Sequence, residues 1–162
     1  MSAHAASLSA AEHALQQALA AEQAAAYGYG VLGAHLAGPG QAAATADWIA
    51  HQVSRDELAE LLRSRGAEPA AAAVAYRLPV PVQTAAQARS LAAILEERVT
   101  AGYLSLVALS DRALRQLGAQ QMTQSALRAA SWRGATAAFP GLPASALERG
   151  PGAVTREPRA RG

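Results

Sequence analysis

Alanine fills 45 of the 162 positions, and this restricts the chain to a fold whose elements meet largely through methyl groups and backbone. A sheet needs branched and aromatic side chains to cover its pleated faces. The chain offers only two isoleucines, eight valines and 4% aromatic residues. A helix has no such requirement, because alanine has the highest helix propensity of all residues. The expected class is all-α. The length suits one compact domain rather than two independent cores. The absence of cysteine removes disulfides, thiolate zinc sites and cysteine nucleophiles.

All 14 cations are arginines, and residues 1–147 carry ten of them against ten acids. A neutral body cannot build the basic stripe that displaces counterions from phosphates, so specific nucleic-acid binding is not expected. The first twenty residues lack a charged n-region, and His4 and Glu12 interrupt any apolar stretch. Neither a signal peptide nor a membrane span is readable, and the expected location is the cytoplasm.

Ser9-Ala-Ala-Glu12 and Thr84-Ala-Ala-Gln87 both have capping-box spacing, in which the hydroxyl takes the N3 amide and the N3 side chain reaches back. From Ser9 a helix runs to about Leu36, where Gly38-Pro39-Gly40 stops it. A second runs from about Gln41 to Arg65, with Gly66 as its cap. The third starts at Thr84 with the stripe Leu91, Leu95, Val99, Leu106 and Leu109 and turns at Ser110-Asp111; the fourth spans about Arg112 to Arg133. Leu117, Leu127 and Trp132 are among its few bulky side chains. Short connections make each pair an antiparallel hairpin, and Ala67 to Gln83 is long enough to cross the length of the molecule. Within that crossover, Ala70 to Ala75 can form a helical turn. Leu78-Pro79-Val80-Pro81-Val82 must be extended, so that Val80, Val82 and Tyr76 seal one groove. Phe139 to Pro143 reads as a folded-back plug that completes a domain over 1–147, and 148–162 has the arginine, proline and glycine content of a disordered tail.

Two acids interrupt the apolar stripes. Glu22 falls in Leu15, Leu19, Glu22, Ala26, Tyr29, and Glu96 falls in Ala92, Glu96, Val99, Tyr103; Glu97 is the competing inward residue if the phase slips by one. Each acid precedes a Gly-Tyr pair by six and seven residues, Gly28-Tyr29 and Gly102-Tyr103, a weak internal repeat. His51, one turn from Trp48 and Arg55, points inward on the second helix. Buried carboxylates require donors, and Glu22, Tyr29, His51, Arg55, Glu96 and Tyr103 form a candidate metal-free hydrogen-bonded network.

Two glutamates and a histidine inside four helices, with a crossover after the second, resemble the ferritin-like domains. The segments Glu22 to Gly30, His51 to Leu58, Ala75 to Pro79, Trp132-Arg133-Gly134 and Phe139-Pro140-Gly141 are similar to a ferritin-like domain family of unknown function from high-G+C bacteria. The resemblance implies a ferritin-like four-helix bundle, two antiparallel hairpins joined by a long crossover, with no assigned activity. Di-iron members of such a fold take one Glu from each of two helices and a Glu-x-x-His from each of the other two. Here the second helix reads Trp48-Ile-Ala-His51, and Arg112 to Arg133 contains neither Glu nor His. Glu22, His51 and Glu96 are therefore the candidate ligands for iron or another divalent metal, and they form an incomplete set. The expected function is a non-catalytic scaffold or interaction module with a degenerate metal site and no cofactor. The alternative is a metal-binding protein or metal-dependent oxidoreductase using those three residues, and a third reading is a small apolar ligand held between the alanine faces. A homodimer is the expected partner state.

Gly28 to Gly33 spells G-x-G-x-x-G, but that loop must follow a strand and open a helix, whereas these glycines lie inside a helical run. Close helix contact or a local bend is the reading that remains. His51, Ser54 and Asp56 lie on different faces and form no hydrolase triad. His4, His13 and His35 are expected to face solvent, and Trp48 and Trp132 to fill the core or a groove.

Overall fold

The computed structural model describes residues 8–134 and, within them, is all-helical. The predicted plug at Phe139 to Pro143, the tail 148–162 and His4 lie outside the described residues. Four long helices dominate: α1 (Ala10–Leu32), α2 (Gly38–Ser64), α3 (Ala85–Gly102) and α5 (Arg112–Arg133), with a short α4 (Leu104–Val107) between the last two. None is long and apolar enough to cross a membrane.

Local chemistry sets the helix starts. Ser9 Oγ accepts from the Glu12 amide at 3.2 Å and the Glu12 carboxylate accepts from the Ser9 amide at 2.6 Å. Thr84 caps Gln87 in the same way, but the Gln87 side chain accepts from the Gln83 amide at 2.9 Å instead of closing a reciprocal box. Asp111 Oδ1 accepts from the Ala113 and Leu114 amides and opens α5. Gly134, at φ 69°, closes that helix.

Several boundaries differ from the sequence reading. α1 ends at Leu32 and tightens into a 3₁₀ turn over Gly33–His35. Gly38 turns the chain at φ 54° and Pro39 sits in the first turn of α2 rather than stopping a helix, a position where its missing N–H costs nothing. The third helix breaks at Tyr103, and α4 continues it for one turn. No helical turn forms at Ala70 to Ala75. That backbone is clasped by α1 glutamines: Gln16 bonds the Glu68 carbonyl and the Ala70 amide, and Gln23 bonds the Ala70 carbonyl. Val80 and Val82 pack on the core with Leu78, while the Tyr76 ring meets Tyr27 at a tilt of 50° and its hydroxyl donates to Gln23.

Neighbouring helices run antiparallel: Glu22 of α1 meets His51 of α2, and Tyr29 meets Asp47, seven residues on against four residues back. α1 and α3 meet at two positions where glycine removes a side chain. A Cβ on Gly28 would lie 2.5 Å from Leu95 Cδ1, and one on Gly102 would lie 2.6 Å from the Ala21 Cβ. Gly30 and Gly33 make no such contact, so close packing accounts for Gly28 alone among the three glycines of the Gly28 to Gly33 run. The apolar core forms two clusters, one around Leu15, Leu19, Leu58, Leu62 and Leu106, the other around Leu32, Leu91 and Leu95. α5 contributes little to either, and Leu127, predicted to be one of its bulky core residues, is exposed.

Candidate functional site

Between the two clusters lies a layer of polar side chains. Along α2 the buried order is Ala44, His51, Ser54, Leu58, and along α3 Glu96 lies between Leu95 and Val99. Glu22, His51 and Glu96 are fully buried. The His51 ring stands between the two carboxylates, with Nδ1 2.6 Å from Glu22 Oε2 and Nε2 3.0 Å from Glu96 Oε1. The two tyrosines cross over: Tyr29 donates to Glu96 Oε1 and Tyr103 donates to Glu22 Oε1, each at 2.7 Å. The Gly-Tyr pairs thus have one geometric meaning. Each glycine docks its helix on the residue preceding the opposite glutamate, Leu95 or Ala21, and each tyrosine then reaches that glutamate.

Both carboxylates can accept from one imidazole only when both ring nitrogens carry protons. Burial alone would push the His51 pKa down, but the hydrogen bonds and charges of Glu22 and Glu96 outweigh it and push it up to about 9. Burial favours the neutral carboxyl of Glu96, yet the His51 hydrogen bond and charge, with Arg128 and Tyr29, hold its pKa below the ordinary value. Burial, followed by the adjacent carboxylates, pushes both tyrosine hydroxyls far above theirs.

The sequence reading placed Arg55 in this network, and the structure does not. Arg55 Nε donates to Asp56 at 2.8 Å with its side chain about one third exposed. On α2 the buried face runs through His51, Ser54 and Leu58, so position 55 is rotated outward. His51 and Ser54 thus share a face that the sequence reading divides, and of His51, Ser54 and Asp56 only Asp56 is exposed. Glu96 is the inward acid of α3, and Glu97 pairs with Arg133 near the surface. His13 and His35 are exposed, as is Trp48 in large part.

Three members went unread. Arg128 of α5 donates from Nε to Glu96 Oε1 at 3.2 Å, and the Asp47 Oδ1 lies 3.9 Å from the same nitrogen. Trp132 Nε1 donates to Asp47 Oδ2 at 2.9 Å. Burial is the main cause that raises the Asp47 pKa. Two signals pointed to them. Asp47 lies four residues before His51, on the same helix face. Arg128 sits on a helix without acids, so its partner had to come from another element.

A metal pair fits these residues poorly. Of the four oxygens on Glu22 and Glu96, three accept hydrogen bonds from Tyr103, His51, Tyr29 and Arg128, and only Glu96 Oε2 is without a partner. Both His51 nitrogens are engaged, and a ring that donates from both has no lone pair for a cation. On α5 the buried positions are Leu114, Gly118, Ser125 and Ala129, none of them a carboxylate that could bridge two ions. Among the described residues no three His, Asp or Glu side chains are grouped to hold a metal.

Comparison with known proteins agrees with the all-helical architecture. A crystal structure of a conserved hypothetical protein from Mycobacterium tuberculosis is 32% identical, covers 80% of this chain and 98% of its own, and superposes with a TM-score of 0.73. No curated protein matches the chain. A family model described as a domain of unknown function, DUF4439, matches residues 14–144, and the chain belongs to that family.

Proposed function

We propose that this chain is a ferritin-like four-helix bundle, two antiparallel hairpins joined by the 67–83 crossover, acting as a non-catalytic scaffold or interaction module. Its carboxylate centre is neutralised by the protein's own cations rather than by a metal. The observation that carries this reading is the His51 ring, with one nitrogen 2.6 Å from Glu22 and the other 3.0 Å from Glu96. The imidazolium supplies to both carboxylates the positive charge that a metal would otherwise have to bring. The Arg128 guanidinium supplies the second positive charge, so the two fully buried carboxylates are matched by an imidazolium and a guanidinium, while Asp47, part-exposed, is a third acid beside Arg128.

An interaction module needs a face to offer. On α2, Trp48, Ile49 and Val53 are 40%, 52% and 51% exposed, and this supports self-association as a homodimer, to be checked by sedimentation.

The deciding experiment is metal analysis of anaerobically purified protein, followed by ferrous titration. The proposal expects substoichiometric metal and no oxo-iron absorption. Near-stoichiometric iron that is lost in Glu22→Ala would overturn it in favour of a metal-binding protein or oxidoreductase built on Glu22, His51 and Glu96.

A further inference from the structure

Arg128 is held by one edge only. Its Nε faces Glu96 and Asp47, and among the described residues its terminal amino groups make no hydrogen bond. The side chain is 18% exposed and lines a pocket of about 560 Å³ bounded by the first turns of α2, the start of α3 and the end of α5. A guanidinium anchored through Nε by a buried carboxylate presents its fork in a fixed direction, the geometry that recognises an external carboxylate in two hydrogen bonds.

A second guanidinium lines the same pocket. Arg89 makes no ion pair among the described residues. Its Nη2 stands 3.5 Å from where a Cβ on Gly40 would lie, over the first turn of α2. That turn has Ala37 at its cap and no side-chain acceptor, so a positive side chain rests against the positive end of a helix. The juxtaposition is unfavourable unless an anion lies between them. Asp47 lines the same pocket, but its Oδ2 accepts from the Trp132 indole and its Oδ1 lies 3.9 Å from Arg128 Nε, so it answers the inner guanidinium and makes no ion pair with Arg89. The remaining wall combines the Asp47 carboxylate and Ser131 with an apolar, partly flat surface formed by Pro39, Ala43, Ala46 and the Trp132 ring.

We propose that this pocket binds a small organic carboxylate, with its charged end on Arg89 and Arg128 and its apolar body between Trp132 and the alanines of α2. The volume lies within the range of small-molecule sites. Recognition requires both ends: a neutral analogue leaves the guanidinium groups unanswered, and a bare anion leaves the indole uncovered.

The test is a titration of the full-length protein with benzoate, benzamide, acetate and inorganic phosphate, followed through the two indole N–H signals in an ¹⁵N correlation spectrum and assigned with Trp48→Phe. Benzoate is expected to shift the Trp132 signal saturably, with each of the other three weaker by about tenfold or more. Arg89→Gln, a change on an exposed position that leaves the melting curve in place, is expected to weaken benzoate by a similar factor. No saturable shift up to about 10 mM, a ceiling that still detects the millimolar range, would overturn the proposal. So would equal binding of benzamide, acetate or phosphate, a response confined to Trp48, or unaltered benzoate affinity in Arg89→Gln.

Discussion

Raising the pH from 6.5 to 9 should destabilise the protein through His51. The ring has an ordinary pKa of 6.5 and is pushed up to about 9 in the folded chain by Glu22 and Glu96. In that window the folded state holds a proton that the unfolded state has released, so stability falls as pH rises. Below 6.5 both states are protonated and the contribution is present in full; above 9 it is gone. A gap of about 2.5 units corresponds to about 3 kcal/mol at 1.36 kcal/mol per unit. For a domain of this size, about 2 to 4 °C per kcal/mol translates this into a fall in Tm of about 6 to 12 °C across the window. Melts by far-UV circular dichroism would record it, with His13→Gln and His35→Gln as a background that leaves the fall unchanged. In Glu22→Gln the acceptor persists without its charge, the His51 pKa drops, and the fall should shrink. A Tm that is flat between pH 6.5 and 9, or ¹⁵N shifts showing a bare His51 nitrogen at pH 7.5, would refute the imidazolium.

The glycines should rank by what their Cβ would meet. Gly102→Ala drives a Cβ against the rigid Ala21 methyl at 2.6 Å and should cost about 1 to 3 kcal/mol; Gly28→Ala meets the movable end of Leu95 and should cost less. Gly33→Ala, with open space and αR angles, should stabilise by about 0.4 to 1 kcal/mol. Urea midpoints would give the order, and Gly33→Ala proving the worst of the three would discredit the packing assignment. Tyr103→Phe removes the donor to Glu22 Oε1, whereas Tyr29→Phe leaves Glu96 Oε1 with His51 and Arg128. The first should cost about 1 to 3 kcal/mol and the second less, and the reverse order in chemical denaturation would contradict the network's bookkeeping of donors.

What was legible in the sequence was local. Ser9 and Glu12 fix the start of α1 because both partners lie within one turn, and Glu22, His51 and Glu96 break apolar stripes that period alone reveals. Rotation of one helix against another was not legible. Arg55 and Arg128 are both arginines near the centre, and only the angle of α2 about its axis turns the first outward, while only the placement of α5 brings the second onto Glu96. Pro39 was misread for a related reason: proline ends one helix or begins another, and the left-handed Gly38 before it decides which. The internal repeat held more than two glutamates. A shift of 74 positions, the difference between 96 and 22, carries Glu22, Gly28, Tyr29 and Leu32 onto Glu96, Gly102, Tyr103 and Leu106, and His51 onto Ser125.

That shift explains why the centre is lopsided. α1 and α3 are matched halves, locked by Gly28 on Leu95 and Gly102 on Ala21, and the lock brings their carboxylates into one layer. Like charges at that range demand cations from the other two helices. α2 answers with His51, but at the corresponding place α5 has Ser125, whose buried Oγ and the Glu96 Oε2 lack partners among the described residues. Arg128, one turn on and on the same face, reaches back to Glu96 in its stead. A guanidinium keeps its proton at any pH the fold meets, whereas an imidazole does not. The two sides of the layer therefore differ in kind. The α5 side is a fixed charge, and between neutral and alkaline pH the sensitivity of the centre enters through α2, at the single ring that touches both acids.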